Sequence, residues 1–201
     1  MDILFDIGRV LLNFDFQASM RQVFANETQD SIERLMEELE NRNDFESGRE
    51  NADDFIKRLI ESLDSNTKAS SCEMLAAWQG VFTRNEAMWE VVARLWHDGG
   101  HRMILFSNTN EIHASWFFRE FPEFEMFDGA VLSHRVGAMK PAAAIYEYAI
   151  REFGLDPRRT RYVDDLPENV AAGVGFGFHC HLYDPSRHDR FERWLDGQLG
   201  N

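Results

Sequence analysis

Six residues in four places carry the chemistry of this sequence: Asp6, Ser107-Asn108, Lys140 and Asp164-Asp165. Three carboxylates brought together would repel one another and raise each other's pKa values. A hard divalent cation resolves that conflict, and Mg²⁺ takes oxygen ligands from one or two carboxylates plus substrate phosphate. A serine hydroxyl, an asparagine and a lysine ammonium are the donors a phosphoryl group needs. A carboxylate nucleophile with a metal and a cationic clamp is an arrangement for phosphoryl transfer through an aspartyl phosphate. Taken singly, each group has a plainer reading: Asp6, Asp164-Asp165 and Ser107-Asn108 as turn or helix caps, Lys140 as a solvated surface lysine.

The surrounding elements decide between these readings. The apolar runs Ile3–Phe5, Arg102–Phe106 and Arg161–Val163 read as short buried strands, and the three polar clusters follow them directly. Further strands are expected at Gly129–Leu132 and Phe178–Tyr183. Helical patterns lie between them, at Asn85–His97, Glu111–Phe121, Lys140–Phe153 and Pro167–Val174, with a polar terminal helix at Arg187–Leu195. Alternating strands and helices predict an α/β fold, a doubly wound parallel Rossmann-like sheet of five or more strands. In such a sheet all strand ends of one polarity share an edge, so Asp6, Ser107-Asn108 and Asp164-Asp165 converge on one crevice. Lys140, placed at a helix start by Pro141, can reach the same edge.

Between residues 14 and 84 the pattern is helical throughout. Apolar residues recur at helical spacing through Ile32–Leu39 and Phe55–Leu63, with start signals at Thr28 and Asn51, and a third run covers Ala69–Gln79. This predicts an all-helical cap domain, 14–84, inserted into a core formed by 1–13 and 85–201, with hinges near Asn13 and Asn85. Glu46, Gly48, Arg49 and Trp78 are the insert residues that could face the cleft, although packing is their plainer role. His113, just beyond the Ser-Asn loop, is a further candidate.

Net charge is −14, from 21 basic and 35 acidic residues. That field disfavours nucleic acid and anionic membrane as partners. Cys72 and Cys180 have no metal-binding spacing, which points to a reducing compartment. No run approaches the roughly 20 apolar residues of a membrane span, and the start lacks the features of a signal peptide. A cytoplasmic monomer or homodimer is expected.

Four motifs in order resemble the haloacid dehalogenase superfamily. They are Phe5-Asp6-Ile7-Gly8-Arg9-Val10-Leu11, Leu105-Phe106-Ser107-Asn108-Thr109, Leu132 through Lys140-Pro141, and Tyr162-Val163-Asp164-Asp165-Leu166-Pro167-Glu168-Asn169. The closest likeness is to small phosphatases of the α-D-glucose-1-phosphate phosphatase type. The resemblance implies a Mg²⁺-dependent phosphomonoester hydrolase for a small phosphorylated metabolite, a sugar phosphate among the candidates. It implies Asp6 as nucleophile and metal ligand, Gly8 as a metal ligand through its carbonyl, Ser107 and Asn108 as phosphate ligands, and Lys140 as the lysine joining nucleophile and phosphate. Asp165 would be the main acidic metal ligand, Asp164 a direct or supporting one, and Asn169 a support for that loop.

Two departures stand out. Most phosphatases of the superfamily have a second Asp where Gly8 stands, as general acid/base, although the glucose-1-phosphate-type branch also has glycine there. Proton transfer of that kind is worth roughly 10²–10⁴-fold in rate, so turnover is expected to be modest. Arg135 and Met139 also differ from the residues common before the lysine. Gly8 keeps alive an alternative, a catalytically degenerate binding protein of the same fold. A 2-haloacid dehalogenase fits less well, because that branch works without metal and lacks the acidic pair.

Overall fold

The computed structural model describes residues 1–24, 27–63 and 70–199. The chain runs β1 (Asp2–Phe5), β2 (Leu12–Phe14), α1 (Phe16–Val23), α2 (Gln29–Glu40), α3 (Asn43–Glu46), α4 (Ala52–Ser62), α5 (Ser71–Gln79) and β3 (Phe82–Arg84). It continues through α6 (Glu86–Asp98), β4 (Arg102–Ser107), α7 (Glu111–Glu120), β5 (Gly129–Leu132), α8 (Ser133–Val136), α9 (Ala143–Phe153), β6 (Thr160–Asp164), α10 (Pro167–Gly175), β7 (His179–Leu182) and α11 (His188–Leu199). Among the described residues, no helix is long and apolar enough to cross a membrane.

Five strands form one parallel sheet in the order β5-β4-β1-β6-β7. The chain moves outward from β1 through β4 to β5, then resumes on the other side with β6 and β7. The order therefore reverses beside β1, where doubly wound sheets open a crevice at their strand ends. Alternate residues of each strand face opposite sides. Ile3, Phe5, Met103, Leu105 and Val163 pack with Trp89, Val92, Phe191 and Leu195. Leu4, Ile104, Phe106 and Tyr162 pack with Ile145, Tyr146 and Ala149 on the other face. The expected Rossmann-like α/β core is thus present, with helices on both faces.

Several local expectations change. Lys140-Pro141 does not open a helix: α9 starts at Ala143, and Lys140 sits in the turn before it. The apolar faces of Ile145, Tyr146 and Ala149 fix where the helix docks, leaving Lys140 free of helical geometry. The terminal helix extends to Leu199 and is more than polar, since Phe191 and Leu195 are buried in the core. His181 packs against Phe191 and Trp194.

Helices α1 to α5 fill the described residues of 16–79, with Thr28 and Asn51 as N-caps, but the expectation of helix throughout 14–84 fails at its two ends. The expected start of its third helix at Ala69 lies outside the described residues; α5 is capped by Ser70 and Glu73, each bonding the other's main chain. A missed feature brackets the helices. β2 and β3 pair antiparallel, Leu12 with Arg84 and Phe14 with Phe82, so the two connections run side by side. Three residues per strand were too few to stand out. Asn85 is no loose joint: its Nδ2 donates to Val10 O at 2.7 Å and to Tyr183 Oη at 2.9 Å.

The helical segment has its own buried cluster, including Leu35, Phe45, Phe55, Leu59, Met74 and Trp78. His113 of α7 ties it to the sheet. The His113 ring stacks on Trp78 and Phe16, and its Nε2 lies 3.1 Å from Trp78 O. Burial pushes its pKa from the ordinary 6.5 down to about 3. An unfolded chain takes up this proton near pH 6.5 and the folded one only near 3. Stability is therefore lost as pH falls between those values and is unaffected by this group above them. A His113→Phe variant is expected to show a shallower acid loss of thermal stability between pH 6.5 and 4 than the parent; equal slopes would show that His113 does not carry it.

Candidate active site

The sheet register brings the predicted clusters level. Phe5 pairs with Leu105 on one side and Val163 on the other, so the next residues, Asp6, Phe106 and Asp164, lie side by side. Asp6 N–H continues the ladder to Val163 O at 2.9 Å. Asp6, Asp164 and Asp165 each offer a carboxylate oxygen, all within 4.8 Å of one another.

Lys140 enters from the turn after α8 and is 4% exposed. Its Nζ donates to Asp6 Oδ1 at 2.9 Å, Asp164 Oδ2 at 2.6 Å and Phe106 O at 2.7 Å. These use all three ammonium protons. Asn108 holds the turn in place: its Nδ2 donates to Lys140 O at 2.9 Å, and Lys140 N–H donates to Asn108 Oδ1 at 2.8 Å. The Asn108 amide, expected to meet phosphate, is therefore committed to positioning Lys140, which leaves its main-chain N–H as a donor. Ser107 is less constrained, with only a long 3.4 Å contact from Oγ to Asn108 O.

The two adjacent aspartates divide sharply. Asp164 is fully buried, and both its oxygens are occupied. Oδ2 accepts from Lys140 and from Tyr162 Oη at 2.5 Å; Oδ1 accepts from Leu166 N at 2.9 Å and Asn169 Nδ2 at 3.0 Å. Burial works to raise its pKa, but Lys140 and these donors hold it below the usual value. Asp165 lines the cavity instead, and burial with the Asp164 charge lifts it to about 6. Asp6 is raised to about 7, by burial first and then by Asp164 and Asp165, against the pull of Lys140. One ammonium among three carboxylates leaves Asp6 and Asp165 short of positive charge. Asn169 adds an unpartnered acceptor, its buried Oδ1.

Asp6, Ser107, Asn108, Lys140, Asp165 and Asn169 line a cavity of about 470 Å³, with Asp164 buried behind them. Gly8 and Arg9 edge it. Gly8 has an ordinary backbone conformation, and a Cβ there would meet Phe14 Cε1 at 3.1 Å. Arg9 adopts φ 55°, uncommon for a residue with a side chain. Its guanidinium lies near Phe14 and lowers Asp165 somewhat. The helical segment supplies Phe16, Arg42, Asn43 and Glu46 to the opposite wall. Glu46 reaches the cavity as proposed from sequence, but Trp78 is buried in the helical cluster and Arg49 pairs with Asp44 outside. Arg9, Arg42 and Asn43 were missed. Arg9 lay inside a quoted motif, whereas nothing in local sequence marked the other two.

A strand-end aspartate, a buried lysine and a carboxylate pair thus meet at the strand ends of a Rossmann-like sheet. The sequence pattern of the haloacid dehalogenase-like hydrolases matches residues 3–177, and the chain belongs to that family. It is 27% identical over 187 residues to a D-ribitol-5-phosphate phosphatase from Bacteroides thetaiotaomicron, covering 88% of each protein. A HAD-like family hydrolase from Porphyromonas gingivalis superimposes with a TM-score of 0.80 at 26% identity, over 96% of this chain and 97% of that one. A HAD family enzyme from B. thetaiotaomicron, solved with magnesium and inorganic phosphate, gives 0.78 at 22% identity, over 92% and 95%.

Breaking the Lys140 network is expected to be costly. A Lys140→Met variant strands two buried carboxylates and should lose about 3–5 kcal/mol in denaturant unfolding with EDTA present. A loss under 1 kcal/mol would mean the pair was already neutral.

Proposed function

We propose that the protein is a Mg²⁺-dependent phosphomonoester hydrolase working through an aspartyl phosphate on Asp6. The observation that carries this reading is the Lys140-bridged aspartate cluster opening onto one cavity. The phosphatase relative and the phosphate complex of a structural neighbour support it. The relative's phosphorylated pentitol also makes a sugar or polyol phosphate the leading substrate.

The donor set suits the metal. Every candidate ligand is a hard oxygen, and three clustered carboxylates, two of them raised by burial and by their neighbours' charge, with an orphaned Asn169 Oδ1 nearby, fit a divalent cation. Asp6, Asp165 and the Gly8 carbonyl would hold it. Asp164, whose oxygens are already occupied, would organise the loop with Asn169. Magnesium, when bound, would offset phosphate charge and make phosphorus more electrophilic.

Lys140 holds one oxygen of Asp6, leaving the other to attack phosphorus. Ser107 Oγ and the Asn108 main-chain N–H receive the phosphate oxygens. Lys140, with its protons already shared, contributes chiefly charge. The bond from phosphorus to Asp6 forms as the bond to the ester oxygen breaks. Water then attacks phosphorus, Asp6 leaves as a carboxylate, and inorganic phosphate is released. The leaving alkoxide needs a proton that Gly8 cannot give. Residues 14–84 serve as the cap, enclosing the substrate and excluding bulk water. The free thiols Cys72 and Cys180 suit a reducing cytoplasm.

A phosphomonoester panel with Mg²⁺ should give turnover that EDTA abolishes and that Asp6→Asn lacks; activity equal in the Asn variant would leave a binding protein as the better reading. At Gly8→Asp the new Cβ asks the Phe14 ring to give way by a few tenths of an ångström. It should speed alkyl esters by up to about 10²-fold and p-nitrophenyl phosphate, whose leaving group needs no proton, far less. An equal effect on both would place the limit elsewhere.

A further inference from the structure

The far wall of the cavity is polar in a specific way. Arg42 precedes α3, and its Nε donates to Glu46 Oε1 at 2.6 Å while Nη1 donates to Leu39 O at 2.8 Å. Its guanidinium also lies over the Phe16 ring, 5.7 Å from the centroid. The Glu46 side chain is only 12% exposed. Once these bonds are made, Arg42 Nη2, Glu46 Oε2 and the Asn43 amide have no hydrogen-bond partner among the described residues. All three residues line the cavity that holds Asp6 and Lys140.

This set pairs a donor, an acceptor and an amide that is both. Hydroxyl groups also donate and accept, so neighbouring hydroxyls match it. A second phosphate does not, because Glu46 already neutralises Arg42 and would repel another anion. Between the two polar ends lie Phe14, Phe16, Phe82 and Phe117, a wall suited to carbon–hydrogen faces.

A second observation concerns reach. Ser133 Oγ accepts from Thr109 N–H at 2.8 Å and lies 2.6 Å from the main-chain oxygen of Glu46. Thr109 belongs to the loop that carries Ser107 and Asn108. One hydroxyl thus joins the floor loop to the end of α3. The next turn is equally tight: Gly48 has φ 71°, and a Cβ there would stand 2.2 Å from His134 O. The fold itself therefore sets the distance from the phosphate end to the Arg42–Glu46 pair.

We infer that Arg42, Asn43 and Glu46 recognise the distal hydroxyls of a polyhydroxylated monophosphate, cyclic or open-chain, and that Ser133 is a positioning residue that holds Glu46 at that reach. This rests on the phosphatase reading. Steady-state kinetics would compare a hexose 1-phosphate and a pentitol 5-phosphate with n-pentyl phosphate and p-nitrophenyl phosphate. The proteins are the parent, Arg42→Met, Glu46→Gln and Ser133→Ala, with folding checked by circular dichroism. The parent should favour a polyhydroxylated ester over n-pentyl phosphate by about 10²-fold or more in kcat/KM. Each variant should lower that ratio by about tenfold or more, in Ser133→Ala mainly through KM. If the parent hydrolyses p-nitrophenyl phosphate but prefers the alkyl ester, or if the variants reduce all esters alike, this assignment fails and the phosphatase reading stands. If the parent hydrolyses none, both fall.

Discussion

The Lys140 ammonium is the interaction on which the site depends. It is buried, and its three protons reach oxygens from two different strand ends and a main-chain carbonyl. A single cation in that position holds β1, β4 and β6 at a common level where their carboxylates would otherwise push apart. Buried ion pairs are weak sources of net stability, because desolvation offsets attraction. What this one supplies is geometry. The three carboxylates differ in consequence: Asp164, with four donors around it, stays readily ionised, while burial and neighbouring carboxylates hold Asp6 and Asp165 above the usual range.

The parts that hold Lys140 also connect the floor to the far wall. Asn108 clamps the lysine turn through both its amide atoms. The next residue, Thr109, reaches Ser133, and Ser133 reaches α3. Glu111 Oε1 accepts from Ala52 N–H at the start of α4, and His113 stacks on Trp78. Every contact in this series leaves from the loop after β4, from α7 or from α8. The helical segment is thus referenced to the loop after β4, and Ile112 of α7 adds an apolar contact by packing into the helical cluster.

Much of this was legible from residue order. Asp6, Ser107 and Asp164-Asp165 follow apolar runs, and strand ends of a parallel sheet must share an edge. Caps at Thr28 and Asn51 are local chemistry and were readable as such, whereas the Ser70 cap fell inside the expected third helix. The β2–β3 ribbon was not, because three-residue strands paired across some 70 positions leave no periodic trace. Nor was the role of Asn108, whose partner Lys140 lies 32 residues away. Arg42 and Asn43 carry no local signal, and only the fold places them at the cavity.

The amino-acid sequence by itself determined the kind of centre: an aspartate after a strand, a lysine before a proline, an acidic pair and a glycine in place of a second acid. Those facts depend on residue type and order, which no packing alters. The tertiary structure decided how the labour is divided. Asp164 and Asp165 are neighbours with the same side chain, yet one is saturated with donors and the other faces the cavity. That difference arises because successive strand-end residues point to opposite sides, and because Lys140, Tyr162 and Asn169 come from separate elements to meet only one of them.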